Sequence, residues 1–208
     1  MQASSGKEKR RAVEFLFDFG SPTAYLAYTQ LPRIAAERGA DILWRPILLG
    51  GVHKASGNAS PITVPAKGRW MFDDIARWAA RYGVPFKMNP HFPVNTVALM
   101  RGAVAVQTKM PEDFMTYVEA IFKAMWAEPR NLGEPAEVGA VLKQAGLDAE
   151  RIFALVGEQE IKDKLKANSD DAVARGVFGA PTFFVGDEMF FGQDRLDFVA
   201  EALEAKRQ

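Results

Sequence analysis

The chain has 208 residues, 48% hydrophobic and 25% charged, and its 26 basic side chains balance 26 acidic ones. That length can bury a core without a disulfide or metal staple, and zero net charge removes the electrostatic footprint of a nucleic-acid binder. The absence of cysteine excludes disulfide scaffolds, thiolate metal sites and any mechanism that needs a protein thiol. Two histidines, His53 and His91, are too few for a His-rich metal site. No apolar run reaches the roughly eighteen residues of a membrane span. Residues 1–11 are polar and lack the apolar core of a secretory signal. They read as a disordered extension, and the protein as soluble and cytoplasmic.

Val13 to Phe19 combines alternation with aromatic and branched residues, the pattern of a buried strand. Ser21 then suits a helix N-cap, with Pro22 in the first turn where its missing N–H costs nothing. That helix is expected to run to Arg38 and stop at Gly39, kinked or split at Pro32. Asp41 to Leu48 reads as a second strand, parallel to the first across a right-handed crossover. Gly50 to Pro65 reads as a loop by its Gly, Ser, Asn and Pro content. Met71, Ile75, Trp78 and Tyr82 then mark an amphipathic helix ending at Gly83, followed by a proline-rich loop over 84–94. Further helices are expected over 96–109, 111–126, 134–145, 148–156 and 159–175. Thr182–Val185 and Met189–Phe191 bracket the turn Gly186-Asp187-Glu188 of a hairpin. A last helix runs from about Asp194 to Ala205. The expectation is an α/β domain, residues 12–65 and 158–208, carrying an all-helical insertion over 66–157.

Three segments carry candidate chemistry. Ser21 opens a helix just past a parallel strand's carboxyl end, where α/β folds bind ligands and free N–H groups favour an anion. A plain capping role is the competing reading. No G-x-S-x-G elbow surrounds it, so it does not read as a triad nucleophile. Ala180-Pro181, directly before a strand, is a candidate cis peptide that would leave the Ala180 N–H and C=O free to pair with an extended peptide. An ordinary trans proline opening a strand is the alternative. Phe191-Gly192-Gln193-Asp194 runs from a strand end into a helix. Asp194 could cap that helix or hold a ligand's ammonium, with Gln193 taking a carboxylate.

Four stretches in order, FDFGSPTAYLA, LLGGVHKASGNASP, VPAKGRWMFDDIARWAARYGVPF and GVFGAPTFFVGDEMFFGQDRLDFV, resemble the DsbA type of thioredoxin-like fold. Where that fold carries Cys-Pro-x-Cys, this chain reads Ser21-Pro22-Thr23-Ala24, which makes dithiol exchange impossible. The serine form resembles the branch holding kappa-class glutathione transferases and 2-hydroxychromene-2-carboxylate isomerases, over about Val13 to Leu203. The resemblance implies a glutathione site. Ser21 would favour the bound thiolate, and Ala180, before Pro181, would pair with the cysteinyl backbone. Phe191, Gly192, Gln193 and Asp194 would hold the γ-glutamyl end, and Asn58 and Lys67 would flank the tripeptide. An aromatic substrate would lie near His53, Asn58 and Phe92, its carboxylate meeting His53 or Lys54, with Asn95 a further candidate. The implied reaction interconverts 2-hydroxychromene-2-carboxylate and trans-o-hydroxybenzylidenepyruvate, in a homodimer. A conjugating transferase and a redox-inactive binding protein are the alternatives.

Overall fold

The computed structural model describes residues 11–205. The expected extension therefore lies outside the described residues, except for Arg11, which opens the first strand.

A four-stranded sheet in the order β2-β1-β3-β4 is built from β1 (Arg11–Phe17), β2 (Ala40–Pro46), β3 (Thr182–Val185) and β4 (Glu188–Phe191). β1 and β2 are parallel, as the intervening helix demands, while β3 runs antiparallel to both β1 and β4. The two central strands are the apolar ones. Val13 to Phe17 and all of β3 are buried, whereas the edge strands β2 and β4 are partly exposed. Trp44, Phe15 and Phe183 face one another across three strands, each adjacent ring pair 5.3 Å apart.

Alternation along β1 divides the core. Val13, Phe15 and Phe17 join the larger core with α1 (Pro22–Glu37) and α9 (Leu196–Ala205), and with residues of α3 (Pro65–Tyr82) to α7 (Ala149–Val156). Leu16 faces the other way, against Val52 of α2 (Leu49–Ser56) and Ala172 of α8 (Gln159–Ala174). Glu14 shares that second face and is bridged by Arg45 and Arg175, each at 2.6 Å. The helices between are α4 (Val97–Lys109), α5 (Phe114–Phe122) and α6 (Pro135–Gln144), with a π-helical turn at Lys123–Ala127. Two anchors tie this helical region to the end of β1: Trp126 Nε1 donates to the Phe19 carbonyl at 2.8 Å, and Phe19 N–H meets Met100 Sδ at 3.4 Å.

Several expectations need correction. β1 starts two residues earlier than expected and ends at Phe17, because Asp18 turns the chain. α1 is continuous through Pro32, an exposed position on a helix whose opposite face buries Leu31, Ile34 and Ala35. Tertiary packing on that face outweighs one missing backbone bond. The segment expected as a loop over 50–65 holds α2 and a 3-10 turn at Pro61–Thr63. Gly50 and Gly51 sit inside α2, anchored by buried Val52, and Gly57 at φ 71° ends the helix. The last helix begins at Leu196, preceded by a 3-10 turn at Gln193–Arg195. A second cis bond, Phe92–Pro93, was not anticipated.

Candidate functional site

Asp18 organises the ground on which the site stands. It is buried, and its carboxylate accepts from the Gly20 and Leu49 N–H groups, each at 2.8 Å, with the Thr96 side chain as a further partner. One side chain thus ties the β1–α1 turn to the start of α2 and to the N-cap of α4. Burial pushes its pKa above the ordinary carboxylate value, against the lowering effect of those hydrogen bonds. Nothing in the local pattern marked this residue, since an acid at the end of an aromatic strand has no short-range signature.

From that turn the chain enters α1. Ser21 N–H donates to the Asp18 carbonyl at 3.0 Å, and Ser21 Oγ caps the helix by accepting from Ala24 N–H at 3.1 Å. Ser21 Oγ donates in turn to the Ala180 carbonyl at 2.8 Å. Thr23 Oγ1 lies 3.0 Å from Ser21 Oγ and 3.4 Å from the Ala180 oxygen. The serine is therefore a cap and also a buried link between two segments 159 residues apart.

The Ala180–Pro181 bond is cis, as expected. The Ala180 carbonyl is not free, however, because Ser21 occupies it. Its N–H makes no hydrogen bond among the described residues. The surrounding loop is firmly held. Thr182 Oγ1 donates to the Gly179 carbonyl and Asn58 Nδ2 to the Phe178 carbonyl, both at 2.8 Å, and Gly192 N–H donates to the Pro181 carbonyl at 3.0 Å. The Phe178 and Phe191 rings pack at 4.6 Å, so close over Gly179 that a Cβ there would lie 2.7 Å from the Phe191 ring.

The structure brings Ser21, Asn58, Ala180, Pro181, Phe191, Gly192 and Gln193 around this loop, and Asn58 serves it through the Phe178 carbonyl. Gln193 is buried, with its side-chain amide unpartnered among the described residues, while its carbonyl accepts from Tyr82 OH at 3.2 Å. Burial, with Asp197 and Asp194 nearby, pushes the Tyr82 phenol up to about 12. Asp194 does not cap α9. It lies in the 3-10 turn and pairs with the adjacent Arg195 at 2.7 Å.

A cavity of about 290 Å³ adjoins the turn, lined among others by Asp18, Gly20, His53, Phe92, Asn95 and Thr96. His53 belongs to its wall, whereas Lys54, the next residue of α2, is exposed and outside the lining. Burial lowers the His53 pKa, which favours neutral imidazole. Phe92 packs against Trp126 at 5.5 Å, and Asn95 Oδ1 accepts from Val97 N–H at 3.1 Å. Lys67 is exposed in the first turn of α3 and forms no ion pair among the described residues.

The fold and the sequence both have counterparts among known proteins. Residues 12–204 match the model of the DSBA-like thioredoxin domain. A 2-hydroxychromene-2-carboxylate isomerase of Sphingobium xenophagum is 32% identical, covering 93% of this chain and 98% of its own. Glutathione S-transferase kappa 1 of Rattus norvegicus is 27% identical, over 94% of this chain and 92% of its own. A solved 2-hydroxychromene-2-carboxylate isomerase structure superposes with a TM-score of 0.81 at 30% identity, covering 93% of this chain and 94% of that one. A probable DsbA oxidoreductase from Streptomyces coelicolor shares the fold alone, with a TM-score of 0.74 at 17% identity over 96% of this chain and 92% of that one.

Proposed function

The chain belongs to the DsbA-like thioredoxin domain family and, within it, to the family of the 2-hydroxychromene-2-carboxylate isomerases, and from that premise we propose that it is a glutathione-dependent isomerase. Its substrate pair is 2-hydroxychromene-2-carboxylate and trans-o-hydroxybenzylidenepyruvate. The observation that carries this reading is a buried serine hydroxyl at a helix N-terminus, beside Ala180, in a chain without cysteine.

The residues present fit a peptide thiol. Ala180 offers an unpaired N–H beside the Ser21 hydroxyl, and the largely buried Gln193 a side-chain amide with no hydrogen-bond partner among the described residues. Ser21, Ala180 and Gln193 would hold the tripeptide, with Phe191, Gly192 and Asp194 at its γ-glutamyl end and Asn58 and Lys67 at its flank. Glutathione supplies a thiolate that adds reversibly to a conjugated carbon, which turns a rigid double bond into a rotatable single bond.

The protein's share is to keep that sulfur ionised and to seat the substrate. A thiol ordinarily titrates near 8.5, and lowering it by about two units takes roughly 2.7 kcal/mol. The N-terminus of α1 contributes about 0.3–2 kcal/mol and a hydrogen bond from Ser21 to a charged sulfur about 1.5–3. Together these bracket that requirement, with no general base invoked. Phe92 and His53 give the cavity an apolar wall and a neutral imidazole, able to hydrogen-bond a substrate oxygen rather than to neutralise a carboxylate.

The kappa-class likeness carries a second reading, a transferase that uses the same floor and releases a glutathione conjugate. One incubation separates the two. The chromene acid, the protein and glutathione are mixed, and isomer and free thiol are followed together. Isomer formed with free thiol conserved supports the isomerase. Thiol consumed in step with substrate supports the transferase, and an outcome with neither isomer formed nor thiol consumed rejects the isomerase.

A further inference from the structure

Ser21 has one hydroxyl proton, and the Ala180 carbonyl at 2.8 Å is the shortest hydrogen-bond contact of its Oγ. Ser21 Oγ accepts from Ala24 N–H at 3.1 Å and donates to the Ala180 carbonyl at 2.8 Å. In that arrangement an anionic sulfur brought to Ser21 meets lone pairs. To stabilise a thiolate, the serine has to withdraw its proton from Ala180 and turn it to the sulfur. Ala180 is a buried residue, and a buried carbonyl left without a donor is costly.

Thr23 is placed to resolve this. Its Oγ1 lies 3.0 Å from Ser21 Oγ and 3.4 Å from the Ala180 oxygen, so it reaches both ends of the bond that must break. We propose that Thr23 is a positioning residue, whose hydroxyl takes over the Ala180 carbonyl when Ser21 turns its own proton to a bound thiolate. In the resting arrangement Ser21 O–H points to Ala180 and Thr23 O–H to Ser21 Oγ. In the active arrangement Thr23 O–H points to Ala180 and Ser21 O–H to sulfur. Two hydroxyl rotors turn, Thr23 Oγ1 closes part of its 3.4 Å separation from the Ala180 oxygen, and no proton changes owner. The inference rests on the reading of Ser21 as the thiolate's donor. It deepens that reading by explaining how a serine already committed to a carbonyl becomes available.

The test is the thiolate absorbance of bound glutathione, titrated against pH in the full chain and in Ser21→Ala, Thr23→Val and Thr23→Ser. In the unsubstituted protein the bound thiol titrates below free glutathione, and in Ser21→Ala it moves back toward the free value. Thr23→Val keeps the branched shape without the hydroxyl and raises the bound pKa by about one unit, tenfold in the ionisation constant. Thr23→Ser restores it. Thr23→Ala repeats the measurement without the extra methyl, and melting of each variant shows that it is folded. A Thr23→Val pKa equal to that of the unsubstituted protein, with Ser21→Ala still shifted, overturns the proposal. It would mean that another donor, such as the ligand's own amide, covers Ala180. Thr23→Ser shifted as far as Thr23→Val also overturns it. If bound glutathione is not shifted in the unsubstituted protein, or Ser21→Ala changes nothing, the role of Ser21 has failed instead.

Discussion

At the floor of the site Asp18, Ser21 and Gln193 are 1%, 4% and 6% exposed, while Val64, two residues past the cavity-lining Ile62, is 44% exposed. The floor is also cross-linked: Asp18 joins three segments, Ser21 reaches Ala180, and Trp126 holds the end of β1. The rim carries Asn58, exposed and bonded to the Phe178 carbonyl; Lys67, which the proposed function sets at the tripeptide's flank, is exposed and without an ion pair among the described residues. For the proposed reaction, a pre-organised floor suits the step that every turnover would share, the handling of a thiolate. An exposed rim suits adjustment to one aromatic substrate or another.

The contrast is broken most severely at Asp18. Asp18→Ala leaves the Gly20 and Leu49 N–H groups without their acceptor, at about 1–3 kcal/mol for each buried donor left unsatisfied. A large fall in denaturation midpoint is expected, and an unchanged midpoint would show that Asp18 does not organise the turn. The pH dependence has a definite sign. A carboxyl whose folded pKa is raised gives the folded state the extra proton, so its stability contribution declines as pH rises from the unfolded value near 3.8 through the folded one. Asp18→Asn should remove that decline, as urea midpoints across the acidic range would reveal.

Ser21→Ala comes next. It deletes a cap worth about 0.5–2 kcal/mol and a charge-assisted hydrogen bond worth about 1.5–3, so the fold persists while isomerase turnover falls roughly 10- to 150-fold. Full activity in the variant would reduce Ser21 to its capping bond with Ala24.

Rim substitutions are milder. Lys67→Ala removes an exposed cation whose interaction with a ligand carboxylate is worth about 0.2–1 kcal/mol, up to roughly fivefold in glutathione affinity and less at high salt. A loss of two orders of magnitude by calorimetry would place Lys67 on the floor in all but geometry. The smallest effect is at His53. Its lowered pKa makes the imidazole neutral at neutral pH, so an aromatic carboxylate should bind more tightly only as pH falls through that depressed value. His53→Gln should flatten the profile, and a profile unchanged by the substitution would remove His53 from the substrate's surroundings.

The same contrast explains what the sequence disclosed. β1, α1 with its Ser21 cap, β3 with its preceding cis proline and the stripe on α3 are local patterns, and local patterns are legible. α2 was hidden because Gly50 and Gly51 speak for a loop, whereas its stability comes from Val52 packing under the sheet and from an N-terminal N–H held by Asp18. Asp18 and Thr96 could not be paired by reading along the chain, since they meet only after the helical segment has folded back. The Ser21–Ala180 bond was likewise invisible, and with it the part that Thr23 takes. Residue types and their neighbourhoods were legible; which hydrogen-bonding atoms were already engaged was not.

The most direct measurement compares the melting temperatures of the protein with glutathione and with S-methylglutathione, because a ligand bound only by the native state stabilises by RT ln(1 + [L]/Kd). Both should raise Tm, and glutathione should raise it more, since only its sulfur can ionise and accept a charge-assisted hydrogen bond from Ser21. That advantage should vanish in Ser21→Ala. No shift at millimolar glutathione, with no heat of binding by calorimetry, would contradict the account, and an equal shift from both ligands would contradict the thiolate's place in it.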